Sequence, residues 1–121
     1  MKIVNLTQHN ATQDQKDAGV FDLSDATALR TLLTFNSLPT KDEIKERAES
    51  IAQLAQDANA TFAMIGGAGY LMPSLESALI AKGITPLHAF SQRVSVEKHN
   101  EDGTVSKENI FKHVGFICTA S

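Results

Sequence analysis

Thr61-Phe62-Ala63-Met64-Ile65 is a short apolar run, and Gly66-Gly67-Ala68-Gly69-Tyr70 follows it directly. Five residues are too few for a helix and suit a strand buried on both faces of a sheet. Just downstream, Leu71, Leu75, Ala78 and Leu79 recur at helical spacing, so Tyr70–Lys82 reads as a helix. Pro73 fits its first turn, and Gly83 is a natural stop. Just upstream, Thr40 and Glu43 form a T-x-x-E capping box. Ile44, Ala48, Ile51, Ala52 and Ala55 then share one face of a helix running to about Ala58. A buried strand between two one-sided helices is the repeating unit of an α/β sheet.

The pattern extends outward in both directions. Residues 2–6 read as a short buried strand, residues 11–18 as a short polar helix stopped by Gly19, and residues 20–23 as a brief extended piece. Ser24 suits the N-cap of a helix over Asp25–Phe35, with Ala28, Leu29, Leu32 and Leu33 as its buried stripe. On the C-terminal side, Ile84–Phe90 is extended and apolar and continues through Arg93–Glu97. Asn100-Glu101-Asp102-Gly103 is a turn, Asp-Gly being a strong hairpin signal. The return strand covers Val105 to Cys118. The expected fold is α/β: one compact Rossmann-like three-layer domain over residues 1–121, with short parallel strands and a C-terminal antiparallel hairpin.

Composition narrows the function classes. The chain of 121 residues is 42% hydrophobic and 21% charged, with a formal charge of -3. That excludes a disordered chain, a collagen-like repeat and a disulfide scaffold. It also argues against general DNA or RNA binding, which needs a basic face. The acidity is uneven. Residues 1–60 carry six Lys/Arg and nine Asp/Glu, whereas residues 61–121 carry five of each, so the half with the glycine loop is neutral. One small anion in a local pocket is compatible with that balance. The single cysteine, Cys118, forms no intrachain disulfide and reads as a small buried hydrophobe near a strand end. No apolar run approaches the ~18 residues of a membrane span. The polar Asn5, Gln8, His9 and Asn10 interrupt any signal-peptide core. A soluble cytoplasmic protein without membrane contact is expected.

Ligands of open parallel sheets sit outside the carboxyl ends of the strands, where strand order reverses. That rule selects Thr7-Gln8-His9-Asn10, Gly66-Gly67-Ala68-Gly69-Tyr70 and Ser91-Gln92-Arg93. Glycines admit close backbone approach, and a helix start after them aims N–H groups at an anion. The sequence Gly-Gly-Ala-Gly is neither G-x-G-x-x-G nor a P-loop, which disfavours a dinucleotide oxidoreductase and an NTPase. His9 is a candidate general acid or base. Arg93 offers a planar fork for a phosphate, and Ser91 a hydroxyl. Tyr70 sits where it can stack on a base, or simply pack at a helix start. His88, inside an apolar strand, reads as a satisfied structural histidine, and His113 as cross-strand packing. No two histidines have metal-ligand spacing, so no metal or other cofactor is expected.

Two pieces of the chain resemble a known family. Val4-Asn5-Leu6-Thr7-Gln8-His9, followed by Ala11–Gln15, is one. Met64–Ala68 through Gly83–Phe90 is the other. Both are similar to small CRISPR-associated, Rossmann-like proteins of type III systems, some of which are ring nucleases or sponges for cyclic oligoadenylate. The resemblance implies a homodimer that holds a cyclic oligonucleotide across paired sheet ends, in antiviral defence. It also implies metal-independent cleavage, in which a ribose 2′-hydroxyl attacks the adjacent phosphate. His9 and Arg93 would then be catalytic. Thr7, Gln8, Asn10, Gly66–Tyr70, Ser91 and Gln92 would bind ligand. The hairpin from Val94 to Cys118 lies outside the resemblance. It supports a different expectation, a non-enzymatic dimeric interaction module built on Val94, Val96, Ile110 and Val114.

Overall fold

The apolar N-terminal run forms strand β1 (Ile3–Leu6), whose four residues are all buried. The computed structural model describes residues 2–119. After β1 come helix α1 (Gln13–Asp17), strand β2 (Val20–Phe21), helices α2 (Thr27–Leu33) and α3 (Lys41–Asp57), strand β3 (Phe62–Ile65) and helix α4 (Met72–Ala81). The chain ends in the long strands β4 (Thr85–His99) and β5 (Val105–Ile117). One sheet holds all five strands in the order β2-β1-β3-β4-β5. The first four are mutually parallel, and β5 runs antiparallel to β4. This is the mixed α/β domain expected from the sequence.

The helices form where local chemistry starts and stops them. Thr12 caps α1 in a reciprocal box with Gln15. The Thr40 hydroxyl accepts from the Glu43 N–H at 3.1 Å and starts α3, as the T-x-x-E spacing requires. Three helices, α1, α2 and α4, each begin two residues later than expected. In α2 the Asp25 carboxylate accepts from the Thr27 N–H at 3.0 Å, so the local turn ends at Ala26 and Ser24 is not the cap. The shortened α2 buries Leu29 and Leu33 and leaves Ala28 exposed. In α4 the chain turns through Gly69–Leu71 before the helix starts, with Pro73 in the first turn. At the far end of α2, Arg47 from α3 donates to the carbonyls of Leu32 and Thr34 and lies 4.2 Å over the Phe35 ring. That guanidinium satisfies carbonyls that a helix end leaves open.

Side-chain alternation divides the core in two. Val4, Leu6, Ala63 and Ile65 face α2, α3 and α4, and they pack with Leu29, Ile51, Leu75 and Leu79. Complete burial of each such Leu or Ile contributes about 2 kcal/mol of transfer free energy. Ile3, Met64 and Leu87 face the opposite side, where Ala11 and Val20 complete a smaller cluster. The larger layer therefore holds three helices and the smaller one only the segment around α1.

The sheet changes character at its C-terminal end. Pairing of β4 with β5 is regular from His88↔Ile117 to Phe90↔Gly115, shifts by a bulge, and resumes from Ser91↔His113 to His99↔Val105. No residue from Ala89 to Thr119 is buried, so the hairpin beyond the bulge is an arm projecting from the core. Cys118, expected to be buried, follows β5, the outermost strand of the sheet, and is exposed.

Candidate functional site

The strand order locates the site. From β1 the chain moves outward to β2, then returns to place β3 on the other side of β1. The reversal point is the gap between the carboxyl ends of β1 and β3, flanked by Leu6 and Ile65 in register. A cleft of about 380 Å³ opens there. Thr7, Gln8 and His9 line it from the loop after β1, Gly66 and Gly67 from the loop after β3, and His88 and Ala89 from β4. Gln15 of α1 closes one side. A second cleft of the same volume lies on the β2 side of the same loop, where Gln8, Asn10, Asp22 and Arg30 meet.

The loop between the clefts is held from beneath. Asn5 is a polar residue inside an apolar strand, only 3% exposed. Its Nδ2 donates to the His9 carbonyl at 2.7 Å and to Asp22 Oδ1 at 2.8 Å. Its Oδ1 accepts from the Thr7 N–H at 2.9 Å and from Thr7 Oγ1 at 2.7 Å. Both amide hydrogens and both oxygen lone pairs are thus used. Asp22 Oδ1 also accepts from the Ala11 N–H at 3.0 Å, so the loop is fastened at Thr7, His9 and Ala11.

This network sets an acid sensitivity. Burial pushes the Asp22 carboxyl up, but the hydrogen bonds from Asn5 and Ala11 and the charges of Lys16 and Arg30 outweigh it. Its pKa falls below the ordinary 3.8. A carboxylate depressed on folding stabilises the fold above its unfolded pKa, and that stabilisation is lost as pH falls through the folded value. Urea unfolding between pH 7 and pH 2 should therefore show wild type losing stability below about pH 4. Asp22→Asn should start less stable and lose less. Parallel curves would show that the carboxylate charge contributes nothing.

The structure brings together part of the expected set. Thr7, Gln8, His9, Gly66 and Gly67 share the switch-point cleft, and Asn10 lies in the neighbouring one. Ala68 packs against the helix-side core. Gly69 is an exposed turn residue. Tyr70 meets Phe35 edge-on at 5.2 Å and lines a groove between α3 and α4. Ser91, Gln92 and Arg93 lie on the exposed arm past the bulge and line neither cleft. The strand does not end at Phe90, so these three do not form a loop at the sheet's carboxyl edge. The Arg93 guanidinium instead lies 5.7 Å over the Phe111 ring of the facing strand.

Other residues at the site were not expected there, although His88 was read as a satisfied structural histidine. Asn5 and Asp22 carry the loop, and Arg30 places a guanidinium at the β2-side cleft. His88 lines the switch-point cleft and pairs with Glu76 of α4, Nε2 to Oε1 at 2.8 Å. A buried polar residue at the third position of an apolar strand was the readable signal for Asn5. Nothing local marks Glu76 and His88 as partners, since they meet across a helix and a strand. Among the described residues, no three His, Cys, Asp or Glu side chains gather as a metal site, and no helix is long and apolar enough to cross a membrane.

Fold and site define a small α/β protein with a cleft at the sheet's switch point. Residues 1–117 match the model of the Uncharacterized protein MJ1673 family, and the chain belongs to that family. No curated protein and no solved structure matches it.

Proposed function

We propose that the chain is a small nucleotide-binding protein of the cytoplasm, whose ligand is a cyclic oligoadenylate or related second messenger of prokaryotic antiviral defence. The supporting observation is the shared cleft of Thr7, Gln8, His9, Gly66, Gly67 and His88 at the switch point. Hydroxyl, amide and imidazole groups beside closely approachable glycine backbone suit a phosphate and a base. A volume of about 380 Å³ lies at the small end of ligand pockets. On this reading one cleft takes one part of the ring, and a second protomer supplies the rest. Calorimetric titration with a panel of cyclic oligoadenylates, with linear adenylates as controls, tests it. Saturable heat at a fixed ratio of ligand to protomers is expected. Absence of heat with every member ends the nucleotide reading.

The arm favours a second reading, a non-enzymatic dimeric interaction module. β5 is a thirteen-residue edge strand, and Val105, Ile110, Phe111 and Val114 are exposed along it. Natural edges of that length are normally covered or blunted. Pairing of two β5 edges around a two-fold axis would cover both. This reading predicts a dimer by sedimentation that Phe111→Lys converts to monomer, with no heat in the titration above.

A further inference from the structure

We propose that β5 pairs with β5 of a second copy in a single register, with the two-fold axis beside Ile110 and Glu108 of each copy against Lys112 of the other. This rests on the edge-pairing reading above and adds the residues that select the partner. β5 is the outermost strand of the sheet, and every residue on it from Val105 to Lys112 is exposed. An edge of that kind offers its outward backbone groups to another strand.

Symmetry limits the choices. Two identical edges pair antiparallel about a two-fold axis normal to the sheet. Residues of one face then meet residues of the same face, and the axis falls beside a single residue. Three centres keep the two arms overlapped, namely Asn109, Ile110 and Phe111. Centring on Asn109 sets Glu108 against Ile110 and Lys112 against Ser106. Centring on Phe111 sets Lys112 against Ile110 and Glu108 against Val114. Centring on Ile110 sets Glu108 against Lys112 twice and Ile110 against itself. One step beyond these centres, Glu108 or Lys112 faces its own copy. Opposite charges directly across two strands favour pairing, and like charges oppose it.

The charges of a single copy leave this pairing open. Lys107 already faces Glu97 across the hairpin. Glu108 lies 3.6 Å from Lys98, yet its side chain is about half exposed. Lys112 faces Gln92, and among the described residues no carboxylate pairs with it. The second copy supplies that carboxylate, and Glu108 then sits between Lys98 and Lys112 of the second copy. On the same face Val94 lies opposite Ile110, so the axis gathers Val94 and Ile110 of both copies in one apolar row. On the other face Phe111 is 71% exposed beneath Arg93. In this register it comes diagonal to Phe111 of the second copy, within aromatic reach. Pairing of residues 105–115 with their counterparts gives about ten backbone hydrogen bonds, as in a specific interface. Charges that discourage chance pairing of the edge therefore specify one partner.

The test is sedimentation of the full chain and of two variants. Wild type should be a dimer. Glu108→Lys sets Lys against Lys twice, Lys112→Glu sets Glu against Glu twice, and each should raise the dimer Kd about 30-fold. An equal mixture of the two variants should dimerise within about threefold of wild type, because each strand now complements the other instead of itself. A misfolded variant gives no such recovery. The register is read directly in a Cys118→Ser background. There Ile110→Cys should cross-link between copies through a short bis-maleimide faster than Asn109→Cys or Phe111→Cys does. If Phe111→Lys dissociates the dimer but both charge variants stay as tight as wild type, or the fastest cross-link is at 109 or 111, the register is overturned and edge pairing stands. A monomeric wild type, or a dimer that Phe111→Lys leaves intact, overturns both.

Discussion

Asn5→Ala should lower the unfolding free energy by about 3 kcal/mol, a large share of the ~5–15 kcal/mol typical of a domain this size. Asn5 makes four hydrogen bonds in a site only 3% exposed. Truncation strands the Thr7 N–H and removes the lateral support of Asp22. Each buried polar group left without a partner costs about 1–3 kcal/mol. Ala11 still donates to Asp22, which limits the loss. Asn5→Asp should be worse near neutral pH, because it sets a second carboxylate against Asp22 Oδ1. Urea unfolding measures both variants. A loss under 1 kcal/mol for Asn5→Ala would mean that water replaces the amide and that the loop is not held from beneath.

On the nucleotide reading, Gly66→Val should abolish ligand binding while the fold survives, and Gly67→Ala should do nearly the reverse. The reason is the direction each new side chain takes. A Cβ on Gly66 would meet the Thr7 methyl at 3.4 Å, across the mouth of the cleft between β1 and β3. A valine there occupies the space where the two strand ends part, and binding of cyclic oligoadenylate should weaken more than about 100-fold, some 3 kcal/mol. A Cβ on Gly67 would point instead toward Met72 and Leu33, at 3.8 and 3.9 Å, which is ordinary contact. The cost at Gly67 comes from its backbone, at φ +141°, and should be about 1–3 kcal/mol of stability. Calorimetry and thermal unfolding on both variants separate the effects. If Gly66→Val binds as wild type does, the ligand does not use the switch-point cleft.

Much of the architecture was legible because burial writes itself into short apolar runs. Ile3-Val4-Asn5-Leu6 and Phe62-Ala63-Met64-Ile65 are central strands, and the Ile51 and Leu75 stripes are the helix faces that cover them. The glycine loop and the Thr7–His9 segment were legible because polar or glycine residues directly follow a buried strand. What the pattern hides is where the core stops. The extended reading through Arg93–Glu97 matches β4, but Ser91-Gln92-Arg93 also looked like a polar segment at the sheet's carboxyl edge, whereas β4 carries it past the bulge onto an arm with no buried residue. Asn5 stands out only as a polar residue in an apolar strand, and neither the partners it holds nor the His88–Glu76 pair can be read from sequence. Each depends on side chains from separate elements meeting at a distance that only the packed sheet sets.

The bulge opposite Phe90 and Ser91 makes the protein modular. On the core side of it, Pro86 and Leu87 are locked into the packed sheet, and a length change there would disturb every layer. On the far side nothing is buried, so cross-strand pairs can be added or removed at the Asn100–Gly103 turn without disturbing the interior. The direction of the arm depends on a single extra residue in β5, because a bulge bends its strand and increases its twist. Removing that one residue would straighten the ribbon while the partners on either side stay matched. Reach and aim are therefore adjustable separately from the cleft, so a lineage can alter the arm while leaving the cleft as it is.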